Sequence, residues 1–238
     1  MTSSTNLWAT EGPRYAVIDG DLLAYPAAAK LEKEDDLATV HDYLDSNVIA
    51  LADSFNLDDF TIFLSTSKNF RKEIYPEYKA NRESSQVPRW LAPCKEFLYK
   101  NWAAKAEIPY EADDLLGIAV TADPSVLLVS YDKDLKQIPG WHGDPRDSRI
   151  TYIGEATARR KFLLQLISGD ATDNCPGVYR FGPKKAEAWY ESTAWNAQRA
   201  WELYKERGYD FEYFSQMYKC LYILRQKELA WPELQLLL

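Results

Sequence analysis

Four short acidic motifs recur along this 238-residue sequence: Asp19 in IDGD, Glu111 with Asp113 and Asp114 in YEADD, Asp132 with Asp134 in SYDKD, and Asp170 with Asp173 in SGDATD. Carboxylates gathered in one place repel each other and hold their protons unless a cation neutralises them. Their hard oxygen donors suit Mg²⁺ or Mn²⁺. So many acids can hold two ions about 4 Å apart, the separation that assists in-line attack on a phosphodiester. Any one pair alone reads as a helix cap or a turn acid. Four such groups in one chain, two of them in D-x-D or D-x-x-D spacing, favour metal-assisted hydrolysis.

The elements that must position these acids follow from the apolar pattern. Tyr15–Ile18 is a short apolar run stopped by Asp-Gly, which predicts a buried strand and a turn. Leu37, Val40, Leu44, Val48, Leu51 and Phe55 recur at helical spacing, predicting an amphipathic helix over 36–56. Phe60–Leu64, Val126–Ser130 and Ile150–Ile153 read as further strands, and 111–122 as a helix that opens with acids, where the dipole favours negative charge. From Glu155 the chain reads as helical, broken by SGDATDNCPG and by Gly182-Pro183. Strands and helices alternate first and helices cluster last. The expectation is an α/β fold with a mainly parallel central sheet over residues 1–155 and a helical region over 156–238. In a parallel sheet the carboxyl ends of the strands line one crevice, so Asp19 and Asp132 are expected to converge there.

Charge is distributed unevenly. Residues 1–65 carry a net −9, residues 66–105 +5, residues 106–175 −5 and residues 176–238 +1, for a total of −8. Within the basic block, Arg71, Lys72, Lys79 and Arg82 alternate with Phe70, Tyr75 and Tyr78. Cations neutralise phosphates and aromatic faces stack on bases at a frayed end. A surface helix with buried aromatics reads equally well.

Other function classes are excluded. No apolar run approaches the roughly 18 residues of a membrane helix. Three scattered cysteines, Cys94, Cys175 and Cys220, argue against a disulfide framework, and two histidines against a His-rich zinc site. The first residues have neither the basic nor the apolar region of a secretory signal, so a cytoplasmic location is expected. Cys175 reads as a small apolar residue beneath its turn, Asp21 as a turn acid, the tryptophans as core, Trp90 as exposed, and 84–88 as a turning segment.

YEADD, SYDKDL and LISGDATDNCPGV-x-x-FG-x-KKA, in this order, resemble the flap-endonuclease-type 5′-nucleases. This superfamily includes the 5′-nuclease domains of bacterial DNA polymerases and phage 5′→3′ exonucleases. IDGDLLAY resembles its first strand, and NFRKEIYPEYKANR its basic helical motif, an arch within 66–105. The chain is most similar to the exonucleases of short-tailed coliphages. The resemblance implies two Mg²⁺ or Mn²⁺ ions, the first held by Asp19, Glu111, Asp113, Asp114 and Asp132 or their surroundings. The second falls to Asp134, Asp170 and Asp173, with Asp132 shared. It implies that Lys79 and Arg82 reach the scissile phosphate, with Tyr78, Arg71 and Lys72 on the same DNA-contacting stretch. Gly177, Val178 and Gly182 match the helix–three-turn–helix, whose backbone holds K⁺ against duplex phosphates, flanked by Lys184 and Lys185.

Two departures stand out. The family commonly has an aspartate after the second strand, where this chain has Ser65 or Thr66. Arg180 stands where the turn often has a second glycine, and is a candidate phosphate contact. The resemblance implies a monomeric enzyme that cuts DNA from 5′ ends of duplex or flapped substrates, in phage replication or recombination; the RNA of RNA–DNA hybrids is a candidate partner that the sequence leaves open. Two rival readings are a ribonuclease of the same sheet class, which would lack the anchoring turn, and a structure-specific DNA binder with decayed catalysis, for which the absent aspartate is the only support.

Overall fold

The computed structural model describes residues 15–82, 86–192 and 196–237. β1 (Tyr15–Asp19) is an inner strand of a five-stranded sheet whose order is β2-β1-β3-β4-β5. β2 is Asp59–Phe63, β3 Leu127–Val129, β4 Gly140–Asp144 and β5 Arg149–Ile153. The first four strands pair in parallel and β5 closes the edge antiparallel to β4. The mainly parallel sheet expected from the sequence is therefore present. β4 was not anticipated, because Gly-Trp-His-Gly-Asp has neither alternation nor a β-branched run.

Side-chain alternation assigns the two faces of the sheet. Ala16, Ile18, Leu127 and Val129 are buried beneath α1 (Asp21–Lys30), α2 (Leu37–Phe55) and α4 (Leu91–Asn101). Val17 and Leu128, on the opposite face, pack with Leu116 and Val120 of α5 (Ala112–Ala122). The Asp36 side chain caps α2 by accepting from the amides of Ala38 and Thr39. After β1 the chain crosses to β2 on one side and later to β3 on the other. This topological switch point leaves an open crevice at the carboxyl ends of β1 and β3.

The C-terminal helices α6 (Glu155–Ser168), α7 (Pro183–Tyr190), α8 (Ala197–Glu206) and α9 (Phe211–Leu221) bury their own core, which includes Phe162, Leu166, Phe214 and Tyr218. Tyr78 belongs to that core, so the basic segment is fastened to the helical region. The segment that resembles a basic helical motif is helical only in part. It forms a short α3 (Phe70–Ile74) and a 3₁₀ turn at Ala80–Arg82, separated by Pro76, which disfavours helix at the residue before it. Trp90 is half-buried rather than exposed, and its indole N–H donates to the Glu34 carbonyl at 3.1 Å. The turning segment expected at 84–88 falls partly outside the described residues, as does the N-terminal stretch read for a signal. All three cysteines are buried and free. No described helix is long and apolar enough to cross a membrane.

Candidate active site

A cavity of about 350 Å³ opens at the carboxyl ends of β1 and β3 and is lined by Asp19, Asp113, Asp132, Lys79, Glu111 and Asp173, among others. Asp19 ends β1, where the next residue, Gly20, passes close to β2. A Cβ at Gly20 would lie 2.8 Å from the Phe63 carbonyl oxygen, so glycine is required for the chain to turn there. Asp19 Oδ1 accepts from the Asp21 amide and Oδ2 from the Ser130 hydroxyl, both at 3.0 Å. Asp113 enters from the first turn of α5 and Asp132 from the loop after β3. Asp113 has no side-chain hydrogen bond among the described residues. Burial, then the neighbouring Asp21, pushes the Asp19 carboxyl up to about 7. Burial, followed by Asp19 and Asp132, raises Asp113 well above the usual carboxylate range. These three acids crowd one place, and among the described residues none of them is in an ion pair, although Lys79 opposes the rise of Asp113.

Next to this trio, five residues interlock. Lys79 Nζ donates to Glu111 Oε1 at 2.8 Å and lies 3.9 Å from Asp173 Oδ1. Its backbone is left-handed at φ +56°, a strained conformation for lysine, and its amide donates to the Asp173 carbonyl. The Tyr78 hydroxyl is 2.8 Å from Glu111 Oε2 and 3.1 Å from Asp173 Oδ2, so its one proton serves one of them at a time. Burial alone would raise the Glu111 carboxyl. Lys79, Arg71 and Tyr78 outweigh it and hold the group at about 2. Arg82 donates to Asp173 Oδ1 at 2.6 Å and to the Thr172 carbonyl, while its side chain stays about half exposed.

Three expectations are corrected here. Arg71 is 2% exposed and spends its donors on Asp114, Glu111 and the carbonyls of Cys220 and Tyr222, so it has no face for DNA. Asp114 is fully buried. It accepts from Arg71, Glu111 N and Leu224 N, so it anchors α5 and is not itself a ligand; through Arg71 it stays among the surroundings of the site, the other place the resemblance gave it. Tyr78, 2% exposed, is a buried hydrogen-bond donor and offers no ring to a base. Lys72 lies on the exposed side of α3.

The remaining acids carry internal cations. Asp134 accepts from Lys161 Nζ at 2.9 Å. Asp170 is buried, accepts from Gln165 Nε2 and the amides of Thr172 and Asp173, and lies 3.6 Å from Lys133 Nζ. Burial would raise its carboxyl, but Lys133 and the backbone donors bring it below the ordinary value. Asp170 does not line the cavity. As the side chains stand, no three described acids, imidazoles or thiols are close enough together to hold one ion. The donor set still fits a hard divalent cation: all its atoms are oxygens, and the raised carboxyls of Asp19 and Asp113 are what such a cation would neutralise.

The turn predicted to anchor DNA links α6 to α7. Gly177 has φ +64°, and a Cβ there would meet the Gly169 amide nitrogen at 2.4 Å. Arg180 also adopts positive φ, +60°, where an L-residue is strained. Gly177, Val178, Arg180 and Gly182 border a hollow of about 200 Å³, and Arg180, Lys184 and Lys185 are exposed around it.

Sequence reasoning missed Asn69, Lys133, Lys161 and Lys95, and read Asp21 only as a turn acid. Asn69 caps α3 and donates to Glu111 at 3.4 Å. Ser65, at the place of the absent aspartate, lines the cavity, and its hydroxyl accepts from the Ala112 amide at 3.0 Å. Thr66 instead donates to the Lys68 carbonyl and is not part of the lining.

Comparison with known proteins agrees with this geometry. Residues 14–160 match the family model of the 5′-3′ exonuclease N-terminal resolvase-like domain. The chain is 34% identical over 145 residues to DNA polymerase I of Rhizobium leguminosarum, covering 52% of this chain and 14% of that protein. It is 33% identical over 141 residues to a 5′-3′ exonuclease of Buchnera aphidicola, covering 52% and 49%. It thus spans half or less of the length of these curated relatives. Its fold matches the bacteriophage T5 flap endonuclease solved with DNA and metal ions, with TM-score 0.63, 17% identity, and coverage of 87% of this chain and 88% of that one. As the family model takes in more than half of the chain, with the whole sheet and three of the four acidic motifs, the protein belongs to the 5′-3′ exonuclease family.

Proposed function

We propose that the protein is a metal-dependent 5′-nuclease that hydrolyses DNA phosphodiesters from the 5′ ends of duplex or flapped DNA. The observation that carries this reading is the one cavity in which Asp19, Asp113 and Asp132 face one another with no ion pair among the described residues, beside Lys79 and Arg82. Asp19, Asp113 and Asp132 would hold a first Mg²⁺ or Mn²⁺. Asp134 and Asp173, with Asp170 behind them, would hold a second once Lys133 and Lys161 give way. Bound divalent ions supply water activation and neutralise the leaving oxygen.

The chain's own groups supply the rest. Lys79 and Arg82, released from Glu111 and Asp173, place two positive charges where a phosphate would enter. Until a phosphate enters, Glu111 holds Lys79 and Tyr78 in register. Residues 1–155 act as the nuclease core and 156–238 as the part that grips the duplex, with K⁺ at the Gly177–Gly182 turn and Lys184, Lys185 and Arg180 toward phosphates. The T5 relative solved with DNA and metal ions supports the substrate class.

The test is release of label from 5′-labelled duplex, flap and RNA–DNA hybrid with Mg²⁺ and with EDTA. Mg²⁺-dependent release of short 5′ products from the DNA substrates is expected. Release only from RNA supports the ribonuclease reading, and binding without release supports the degenerate one.

A further inference from the structure

The half-buried Lys95, on α4, reaches the rim of the carboxylate cavity. Its ammonium stands 2.7 Å from Asp21 Oδ1 and donates to the Ser65 carbonyl at 3.0 Å. The Ser65 amide donates to the other Asp21 oxygen at 3.3 Å. Asp21 Oδ1 thus lies within ion-pair distance of Lys95 but is buried without a hydrogen-bond donor among the described residues, and Oδ2 accepts from Ser65; the carboxylate lines the same cavity as Asp19, and the Asp21 amide donates to the Asp19 side chain. The Lys95 and Asp21 side chains are only 24% and 33% exposed, so solvent screens the pair incompletely.

We propose that Lys95 is a positioning residue that withholds Asp21 from the divalent-ion site of the cavity, so that the ion meets a neutral lysine–aspartate pair instead of one more anionic ligand. This rests on reading the cavity as an ion site. A carboxylate tied to an ammonium on one oxygen and to an amide on the other must give up an ion pair before it can coordinate. Ser65 supplies no charge, being a neutral hydroxyl, and one of its lone pairs already accepts from the Ala112 amide. The place next to Asp19 therefore holds a carboxylate that is present but neutralised, and the site binds its ion more loosely than the number of acids suggests. Removing the Lys95 charge frees Asp21 to add an oxygen donor to a hard dication.

Calorimetric titration of Mn²⁺ into the full chain, without DNA, separates the possibilities. Four proteins are compared: wild type, Lys95→Met, Asp21→Asn and the double variant. Lys95→Met should bind Mn²⁺ about tenfold tighter, within the range by which outer ligand partners shift metal affinity. Asp21→Asn should stay within about twofold of wild type, and the double variant should return to the Asp21→Asn value.

No tightening in Lys95→Met overturns the proposal. A double variant that keeps the full gain also overturns it, since the effect would then be loss of a nearby positive charge and nothing more. Lys95→Gln, which retains a donor for the Ser65 carbonyl, gives a second reading, with melting in EDTA to establish that each variant is folded. If the wild type itself binds no Mn²⁺, the ion-site reading falls first. If the wild type binds and Lys95→Met does not tighten, only the role of Lys95 falls.

Discussion

Arg71 donates to the two carboxylate oxygens of Asp114 at 2.6 and 2.7 Å, and neither side chain reaches solvent. The same guanidinium reaches Glu111 at 3.3 Å and the carbonyls of Cys220 and Tyr222, both at 2.9 Å. One residue of the basic stretch thus ties α5, which carries Asp113, to the end of α9. Truncating one partner of a buried pair strands the other charge. Arg71→Ala is expected to cost about 3–5 kcal/mol of stability. Arg71→Lys should recover only part of it, since an ammonium cannot copy the fork. Urea denaturation measures the loss. A variant as stable as wild type but with weaker DNA binding would return Arg71 to the DNA-contacting role.

The raised carboxyl of Asp19 makes ion binding depend on pH. Its unfolded value is 3.8 and its folded value about 7. Between these values the metal-free fold holds a proton that the unfolded chain has lost, so this group's contribution to stability falls as pH rises from about 4 to 7. A divalent ion must displace that proton below pH 7, and with it the proton that burial and its acidic neighbours keep on Asp113. The Mg²⁺ concentration for half-maximal cleavage should therefore fall as pH rises through 7, by about tenfold per pH unit for each proton displaced. The rise in Tm on adding Mg²⁺ should likewise be larger at pH 8 than at pH 5.5. Metal titrations at several pH values check both, and a requirement that is flat from pH 6 to 8 would contradict the Asp19 assignment.

Much of this site is legible in the sequence, for a physical reason. Asp19 and Asp132 follow apolar strands, and parallel strands bring their carboxyl ends to one edge whatever lies between them. Asp113 is placed by the helix its own segment starts. Arg71, Asp114 and Tyr78 were misread because burial is a tertiary property. Arg71 finds Asp114 at a separation of 43 residues and the Cys220 carbonyl at 149, and no local pattern distinguishes such an arginine from one facing a phosphate. Lys95 is invisible for the same reason: on α4 it looks like an ordinary surface lysine until the α1–α4 packing brings it to Asp21. The strand Gly140–Asp144 went unseen because its partners on both sides, rather than its own side chains, make it a strand.

Asp132 and Asp134 differ in their surroundings, which sharpens what their loss should do. Asp132 faces Asp19 and Asp113 with no lysine bonded to it, whereas Asp134 is held by Lys161 at 2.9 Å. Asp132→Ala should abolish cleavage and leave DNA binding intact or tighter, because it removes a charge that repels phosphate. Asp134→Ala should also abolish cleavage but leave Lys161 without its carboxylate, so its DNA binding should tighten more. Single-turnover cleavage and equilibrium binding in Ca²⁺ measure the two effects, and cleavage at near wild-type rate by both variants would remove the metal assignment.

Lys184 and Lys185 open α7, exposed beside the turn at Gly177–Gly182. Each phosphate contact contributes about one unit to the dependence of binding on salt. Lys184→Ala with Lys185→Ala should weaken duplex binding and lower the slope of log affinity against log salt by about 2. Cleavage of bound substrate should be little changed, since neither lysine lines the catalytic cavity. An unchanged slope would leave Arg180 as the turn's contact with phosphate.

The serine after β2 gives the last prediction. Ser65 lines the cavity and Thr66 does not, so the two positions that sequence alone left equivalent now differ. In Ser65→Asp the new carboxylate can keep the hydrogen bond from the Ala112 amide, at a helix N-terminus where negative charge is favoured. It would also face Asp19 and Asp21, and that repulsion must be relieved by a cation. Without metal the variant should be less stable than wild type, and with metal the difference should shrink or reverse. The Mg²⁺ concentration for half-maximal cleavage should fall, and by more than for Mn²⁺, which stands higher in the affinity order and needs the extra charge less. Thr66→Asp should shift neither, because its side chain bonds to the Lys68 carbonyl outside the cavity. Melting in EDTA and in Mg²⁺, with a metal titration of cleavage for both variants, decides it. A leftward shift in Thr66→Asp would place the vacated ligand position at Thr66 instead of Ser65, and none in Ser65→Asp would mean that the gap is already compensated, against the account of a withheld Asp21.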